Sequence, residues 1–179
     1  MGTAGNPGVV KLFLGIMYTN DTVKEDALAQ CTARFGDIEY AYGPLAVSRF
    51  TDYYTAEMGA TIQKRYFVFT PLIKREELTL IKTFTNTVEQ HFLINNRRQI
   101  NLDPGYIARD KLVLATTKDF YHRIYISEGI YGEVTLHYRK GRFRYFSWTY
   151  PDYKEKGVQE LLEKARARLV WELKKRARC

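Results

Sequence analysis

The sequence predicts an α+β fold: a ferredoxin-like β-α-β-β-α-β core, extended by a C-terminal antiparallel meander and a terminal helix. Three observations carry that expectation. Extended and helical periodicities alternate from residue 9 to residue 102 in the order strand, helix, strand, strand, helix, strand. Two turn pairs, Glu128-Gly129 and Lys140-Gly141, then separate three β-rich runs at hairpin spacing. From residue 157 onward the apolar positions return to a helical rhythm.

Residues 9–18 are apolar apart from Lys11 and read as a central strand with both faces buried. Thr22-Val-Lys-Glu25 fits a capping box for the next helix, in which Val23, Ala27, Cys31 and Phe35 recur at helical spacing before Gly36 stops it. Residues 38–47 look extended, although Gly43-Pro44 forbids a regular central ladder. Residues 50–59 form a polar-aromatic connection with room for one helical turn from Thr51. A strand over 62–69 is bounded by Pro71. The second helix, over 75–93, lines up Leu78, Ile81, Thr85, Val88 and Phe92 on one face. A short strand over 99–102 is closed by the turn Asp103-Pro-Gly105. Residues 111–116 suit either strand or helix. The meander follows over 122–127, 130–138 and 142–148 and ends at Pro151. The terminal helix over 157–177 turns Val158, Leu161, Leu162, Ala165, Leu169 and Leu173 inward.

Apolar residues make up 45% of the 179, enough for a sizeable core and too many for a disordered chain. Cys31 and Cys179 are the only cysteines, which excludes a secreted disulfide framework and points to a reducing, cytoplasmic setting. Residues 1–8 lack the cationic start and apolar stretch of a signal peptide and read as a flexible leader to a single domain over 9–179. No run is long enough to cross a bilayer, so no membrane partner is expected. The net charge of +8 is uneven: residues 161–179 carry seven Lys and Arg against two Glu, a net +5. Nothing in the sequence sets the oligomeric state.

Common catalytic signatures are absent. There is no G-x-x-x-x-G-K-[ST] phosphate loop, no G-x-S-x-G elbow and no H-E-x-x-H, and His91, His122 and His137 lack ligand spacing. The polar residues gather instead in four clusters at element ends. They are Phe50-Thr-Asp-Tyr-Tyr54 with Glu57, Asn101-Leu-Asp-Pro-Gly-Tyr106, Thr116-Thr-Lys-Asp119 with His122-Arg123, and Trp148-Thr-Tyr-Pro-Asp-Tyr153. Carboxylates beside Lys and Arg at strand ends suit a divalent metal and a phosphate held together; the same residues also make ordinary turns and caps.

Two-residue turns in the meander would set Glu133 opposite Ile124 on one side and Trp148 on the other. They would also set His122 opposite Thr135, and His137 opposite Arg144, all on one sheet face. A carboxylate buried between an isoleucine and a tryptophan is suited to proton transfer; the plain alternative is a structural pair with an arginine. Tyrosines interleaved with cations, in Lys64-Arg-Tyr-Phe67 and Arg142-Phe-Arg-Tyr145, suit base stacking above phosphate contacts, or simply a tyrosine-rich sheet.

Taken in order, these stretches resemble a bacterial family catalogued as a domain of unknown function, DUF4416, from about residue 10 to residue 169. Its carriers are Lys11-Leu-Phe-Leu-Gly15, Phe50-Thr-Asp-Tyr-Tyr54 with Glu57-Met-Gly59, Lys82-Thr-Phe-Thr-Asn86 and Asn101-Leu-Asp-Pro-Gly-Tyr106. They continue with Lys111-Leu-Val-Leu-Ala-Thr-Thr-Lys-Asp119, His122-Arg-Ile-Tyr125, Gly129-Ile-Tyr131, Glu133-Val-Thr-Leu136 and Trp148-Thr-Tyr-Pro-Asp-Tyr153. The resemblance implies no established activity. Members sometimes carry the label of GTP-binding protein, but this chain has Thr117-Lys118-Asp119 where the guanine-reading pattern [NT]-K-x-D needs an intervening residue.

The leading expectation is a binder of a phosphorylated small molecule or nucleotide. Lys64, Arg65, Lys118 and Arg123 would neutralise phosphate, while Asp52, Glu57, Asp103 and Glu133 would hold a divalent metal or move protons, with His122 assisting. Tyr54, Asn101, Tyr106 and Trp148 complete the ligand-binding set; Glu133, His122 and Asp103 are the catalytic candidates. The second expectation is an RNA-binding module using a tyrosine-rich sheet and the basic terminal helix. The third is a structural or protein-interaction domain without a site.

Overall fold

The computed structural model describes residues 1–53, 58 and 61–178. Among the described residues eight strands and three α-helices follow one another as β1 (Val10–Tyr18), α1 (Asp21–Phe35), β2 (Ile38–Ala46), β3 (Gln63–Ile73), α2 (Leu78–His91), β4 (Ile100–Ile107), β5 (Lys111–Thr116), β6 (Arg123–Ser127), β7 (Ile130–Arg139), β8 (Arg142–Tyr145) and α3 (Lys156–Arg176). The fold is thus mixed α and β, with one antiparallel sheet in the order β2-β3-β1-β4-β5-β7-β6 and β8 also paired to β7. Glu133 of β7 pairs with Leu114 of β5 and with Arg123 of β6, while Leu136 pairs with Leu112 of β5 and with Tyr145 of β8. So β6 and β8 lie end to end along one edge of β7.

Alternation along β1 explains its central place. Leu12, Leu14 and Ile16 face a core shared with Ala27 and Cys31 of α1 and Ile81 and Val88 of α2. Phe13 faces the other core, with Tyr66, Val68, and Leu161, Leu162 and Ala165 of α3. Lys11 shares the α3 face and is fully buried. Its ammonium donates to Thr70 O at 2.8 Å and pairs with Glu39 at 2.8 Å and Glu172 at 3.0 Å. These partners tie α3 to β1, β2 and β3, so the one charge in the apolar run is fully engaged.

Four local expectations are corrected. The first helix is capped by Asn20, not Thr22: Asn20 Oδ1 accepts from Thr22 N at 2.7 Å, and Glu25 pairs with Lys24 instead. Strand β3 continues through Pro71 to Ile73, because the register with β1 shifts between Lys11 and Phe13 and Pro71 pairs with neither neighbour. The second helix begins at Leu78, after a 3₁₀ turn over Arg75–Glu77. And Asp103-Pro-Gly105 is no turn: β4 runs straight through it.

The two meander turns are as expected. Glu128 and Gly129 have φ of 50° and 75°, Lys140 and Gly141 of 53° and 81°, the left-handed pairs that two-residue hairpins require. The predicted facing is off by one, however. A bulge between Tyr125 and Ser127 sets Glu133 opposite Arg123 rather than Ile124, and His122 precedes the strand instead of pairing with Thr135. His137 does face Arg144. Trp148 lies beyond β8, which ends at Tyr145.

Candidate functional site

The site begins with a proline. Glu89 Oε1 accepts from Leu102 N at 2.7 Å and Lys82 Nζ donates to Leu102 O at 2.7 Å, so the peptide groups of Leu102 point away from β1, toward β5. Alternation puts the amide of residue 104 on that same edge, and proline has no N–H to offer there. The ladder from β4 to β5 accordingly holds only Gly105–Leu114, Tyr106–Val113 and Ile107–Leu112. Gly105 permits this last close approach: a Cβ there would overlap Val113 O and lie 2.7 Å from Leu114 Cδ2. Beyond it a cavity of about 150 Å³ replaces the ladder, a size that admits a benzene-sized body.

Its lining joins residues far apart in sequence: Lys64 from β3, Lys82 and Glu89 from α2, Asn101 and Asp103 from β4, Lys118 and Arg123 around the start of β6, Glu133 from β7 and Asp152. A second, shallower depression shares Lys118, Arg123, Glu133 and Tyr150 and adds Phe120, His122 and Trp148. The two form one cleft with a charged inner chamber and an aromatic outer one.

Each buried carboxylate in the inner chamber clamps donors. Glu133 Oε2 accepts from His122 Nε2 at 2.9 Å and Arg123 Nε at 3.0 Å, and its Oε1 from the Thr135 hydroxyl at 3.2 Å. Arg123 also donates to Lys118 O at 3.1 Å, which fixes the loop after β5. Asp152 Oδ2 takes Lys64 Nζ at 2.7 Å and the Tyr66 hydroxyl. Burial pushes the Asp152 carboxyl up, but the charge of Lys64 and the hydrogen bonds from Lys64 and Tyr66 together outweigh it and hold it below its ordinary value. Burial and then the Asp152 charge push the Tyr66 hydroxyl well above its ordinary range. Burial also raises Glu89, against the pull of Lys82 and the Leu102 amide. Arg98 donates to Asn101 Oδ1 at 2.8 Å, and Asn101 donates to Asp103 Oδ2 at 2.8 Å. Lys118 differs from these: it is exposed, lies 5.6 Å from the Tyr53 ring centre, and has no carboxylate at ion-pair distance among the described residues.

The outer chamber is backed by a ladder of rings. Trp148 stacks on His122 at 4.9 Å and on Phe146 at 4.5 Å, and Phe146 leans on His137 at 4.9 Å. The ladder fills the gap between β6 and β8 on the edge of β7. There Trp148 Nε1 donates to Val134 O at 3.1 Å and the Thr149 hydroxyl to Thr135 O at 2.6 Å, closing carbonyls that no strand reaches. Both faces of Trp148 are therefore taken, so its indole serves as a wall. Glu133 is not flanked by Ile124 and Trp148; Ile124 is exposed, and the arginine pair has replaced the apolar setting.

Of the residues singled out from sequence, Lys64, Asn101, Asp103, Lys118, Arg123 and Glu133 converge on the inner chamber, and His122 and Trp148 on the outer. Arg65 and Tyr106 do not. They pair with Ile16 and Leu12 on the α1–α2 face, where Arg65 lies over Phe67 and Tyr106 under Arg75. Asp52 is exposed and lines neither chamber. Tyr54 and Glu57 lie outside the described residues. Sequence reading missed Glu89 and Arg98, and gave no role of their own to Lys82 and Asp152, which stood only within Lys82-Thr-Phe-Thr-Asn86 and Trp148-Thr-Tyr-Pro-Asp-Tyr153. The signal for Lys82 and Glu89 was two charges at i and i+7 on the apolar face of α2, one helical face apart from the solvent side. Among the described residues, no group of three or more His, Cys, Asp or Glu is placed to hold a metal ion, and no helix is long and apolar enough to cross a membrane.

Comparison with curated proteins and with solved structures gives no match. A family description does match, over residues 8–169, and it covers every strand and both chambers: the chain belongs to the family described as a domain of unknown function, DUF4416.

Proposed function

We propose that the chain binds a phosphorylated small molecule or nucleotide in this cleft, with phosphate toward the inner chamber and the rest against the aromatic wall. The observation that carries the reading is Lys118. It stands at the junction of the two chambers, shares the cleft with Lys64, Lys82, Arg98 and Arg123, and is the cation among them that no carboxylate engages among the described residues. An incoming phosphate would take its ammonium from the Tyr53 ring at little cost, whereas the others would have to leave buried partners. A divalent cation would enter with the phosphate as its companion. Glu133, His122 and Asp103 then border the ligand. In this reading Glu133 orients Arg123 and His122 rather than moving protons itself.

Thermal shift of the full chain against nucleoside mono-, di- and triphosphates, sugar phosphates and inorganic phosphate, each with and without Mg²⁺, tests the proposal. At least one phosphorylated compound should raise the melting midpoint, and Lys118→Ala should abolish the rise while leaving the unliganded midpoint where it was. A panel without any shift would refute it. A second reading has its own support: Lys174, Lys175 and Arg176 are exposed at the end of α3, beside the half-exposed Trp171, as an RNA backbone contact would need. Binding that weakens steeply with salt and with neutralisation of those three residues would favour it. We also read the β1-α1-β2-β3-α2-β4 portion, with its strand order β2-β3-β1-β4, as a ferredoxin-like core. A bacterial, cytoplasmic setting belongs to the same proposal.

A further inference from the structure

The two open ends of the sheet are built differently. β2 contains Pro44, its register with β3 shifts twice, and its Glu39 is pinned to Arg168 of α3 at 2.9 Å. These are devices by which an edge strand resists new partners. β6 has a single shift, next to its turn. Its side chains at Ile124, Tyr125 and Ile126 are 72%, 57% and 42% exposed, and Phe120 and Tyr121 leading into it are 56% and 76% exposed. Neither proline nor charge interrupts residues 124–127.

We propose that β6 pairs antiparallel with β6 of a second copy of this chain, about a two-fold axis at Tyr125, and joins two sheets into one. An interface across a two-fold axis must be complementary to itself. Ile124-Tyr125-Ile126 reads the same in both directions. Centred on Tyr125, antiparallel pairing sets Ile124 of each copy opposite Ile126 of the other on one face, and brings the two Tyr125 side chains together on the other. Ile126 is on the right face for this, since its Cδ1 lies 3.1 Å from where a Cβ of Gly132 would stand, opposite Ile124. The same register lays Tyr121 beside the Glu128-Gly129 turn of the second copy, at the rim of the outer chamber. A strand from an unrelated protein would require no such palindrome. The exposed Ile124, Tyr125, Ile126 and Tyr121 of each copy supply the apolar and aromatic centre that such an interface carries.

Sedimentation equilibrium of the full chain, whose single-copy mass is 21.0 kDa, tests this. The expected result is a concentration-dependent dimer. Ile124→Lys, and separately Tyr125→Lys, should weaken association more than tenfold, and at dilutions where the chain is a single copy should leave the thermal midpoint close to the parent's, because these side chains are 72% and 57% exposed. Hydrogen exchange at the β6 amides should slow as concentration rises, while β2 amides stay unchanged. A chain that remains at single-copy mass into the hundreds of micromolar overturns the proposal. So does a dimer that survives the lysine variants, or exchange at β6 that ignores concentration.

Discussion

In the β2-β3-β1-β4 half of the sheet, β1 is buried along its whole length, between α1 and α2 on one face and α3 on the other. In the β5-β7-β6 half, Leu112, Leu114 and Leu136 still reach the α3 core, but the cluster on the other face is small, made of Leu78, Val113, Ala115 and Ile130, and much of β6 is exposed. The first half rests on apolar area. At its border with the second half, and within that half, side chains complete the backbone where ladders stop: Lys82 and Glu89 at Leu102, Trp148 and Thr149 at Val134 and Thr135. The cleft opens along the first of these breaks. A ladder cannot host a ligand, because its peptide groups are already paired; a broken ladder whose edge is satisfied by charged side chains can.

Substitutions should separate the two kinds of support. In the first half, Leu14→Ala removes a fully buried side chain from β1 and should cost about 3–4 kcal/mol by urea unfolding. At the break, Glu89→Ala leaves the Leu102 amide without its acceptor and the Lys82 ammonium without its nearby counter-charge, and should cost about 2–3 kcal/mol. A cost near zero would mean that the break holds without it. In the second half, Trp148→Phe keeps a ring in the ladder but removes the donor to Val134 O, for about 1 kcal/mol.

Acid should act on the floor of the cleft. The Asp152 carboxyl is held below its ordinary 3.8, so its contribution to stability is complete above that pH and is lost as pH falls through the lowered value. Asp152→Asn should flatten the stability profile in that acid window, and an unchanged profile would show that the Lys64–Asp152 pair is not a determinant.

The legible parts of this molecule are those governed by local pattern. The double-faced apolar run of β1, the helical rhythm of α2 and α3, and the two Gly-bearing hairpin turns each follow from residues within a few positions of one another. Asp103-Pro-Gly105 misled because turn chemistry and the end of a ladder use the same residues; only the neighbouring strand tells which. The meander register slipped by one because a bulge at residue 126 leaves no mark in an alternating run. Convergence of Lys64, Asp103, Lys118 and Glu133 was readable as residue type and not as place. Asp152 stood in the fourth cluster without a role of its own, because only the fold brings Lys64 and Tyr66 beside it.

The central claim is that the cleft between β4 and β5 takes a phosphorylated ligand, and amide resonances report it directly. In a titration of ¹⁵N-labelled chain with the phosphorylated compound that gives the largest thermal shift, the peaks of Asn101, Asp103, Thr117, Lys118, Arg123 and Glu133 should move together along one saturating curve. Lys118→Ala should shift that curve to at least tenfold higher ligand concentration. Peaks that move only among residues 174–178, or a cleft whose resonances stay still, would contradict the account.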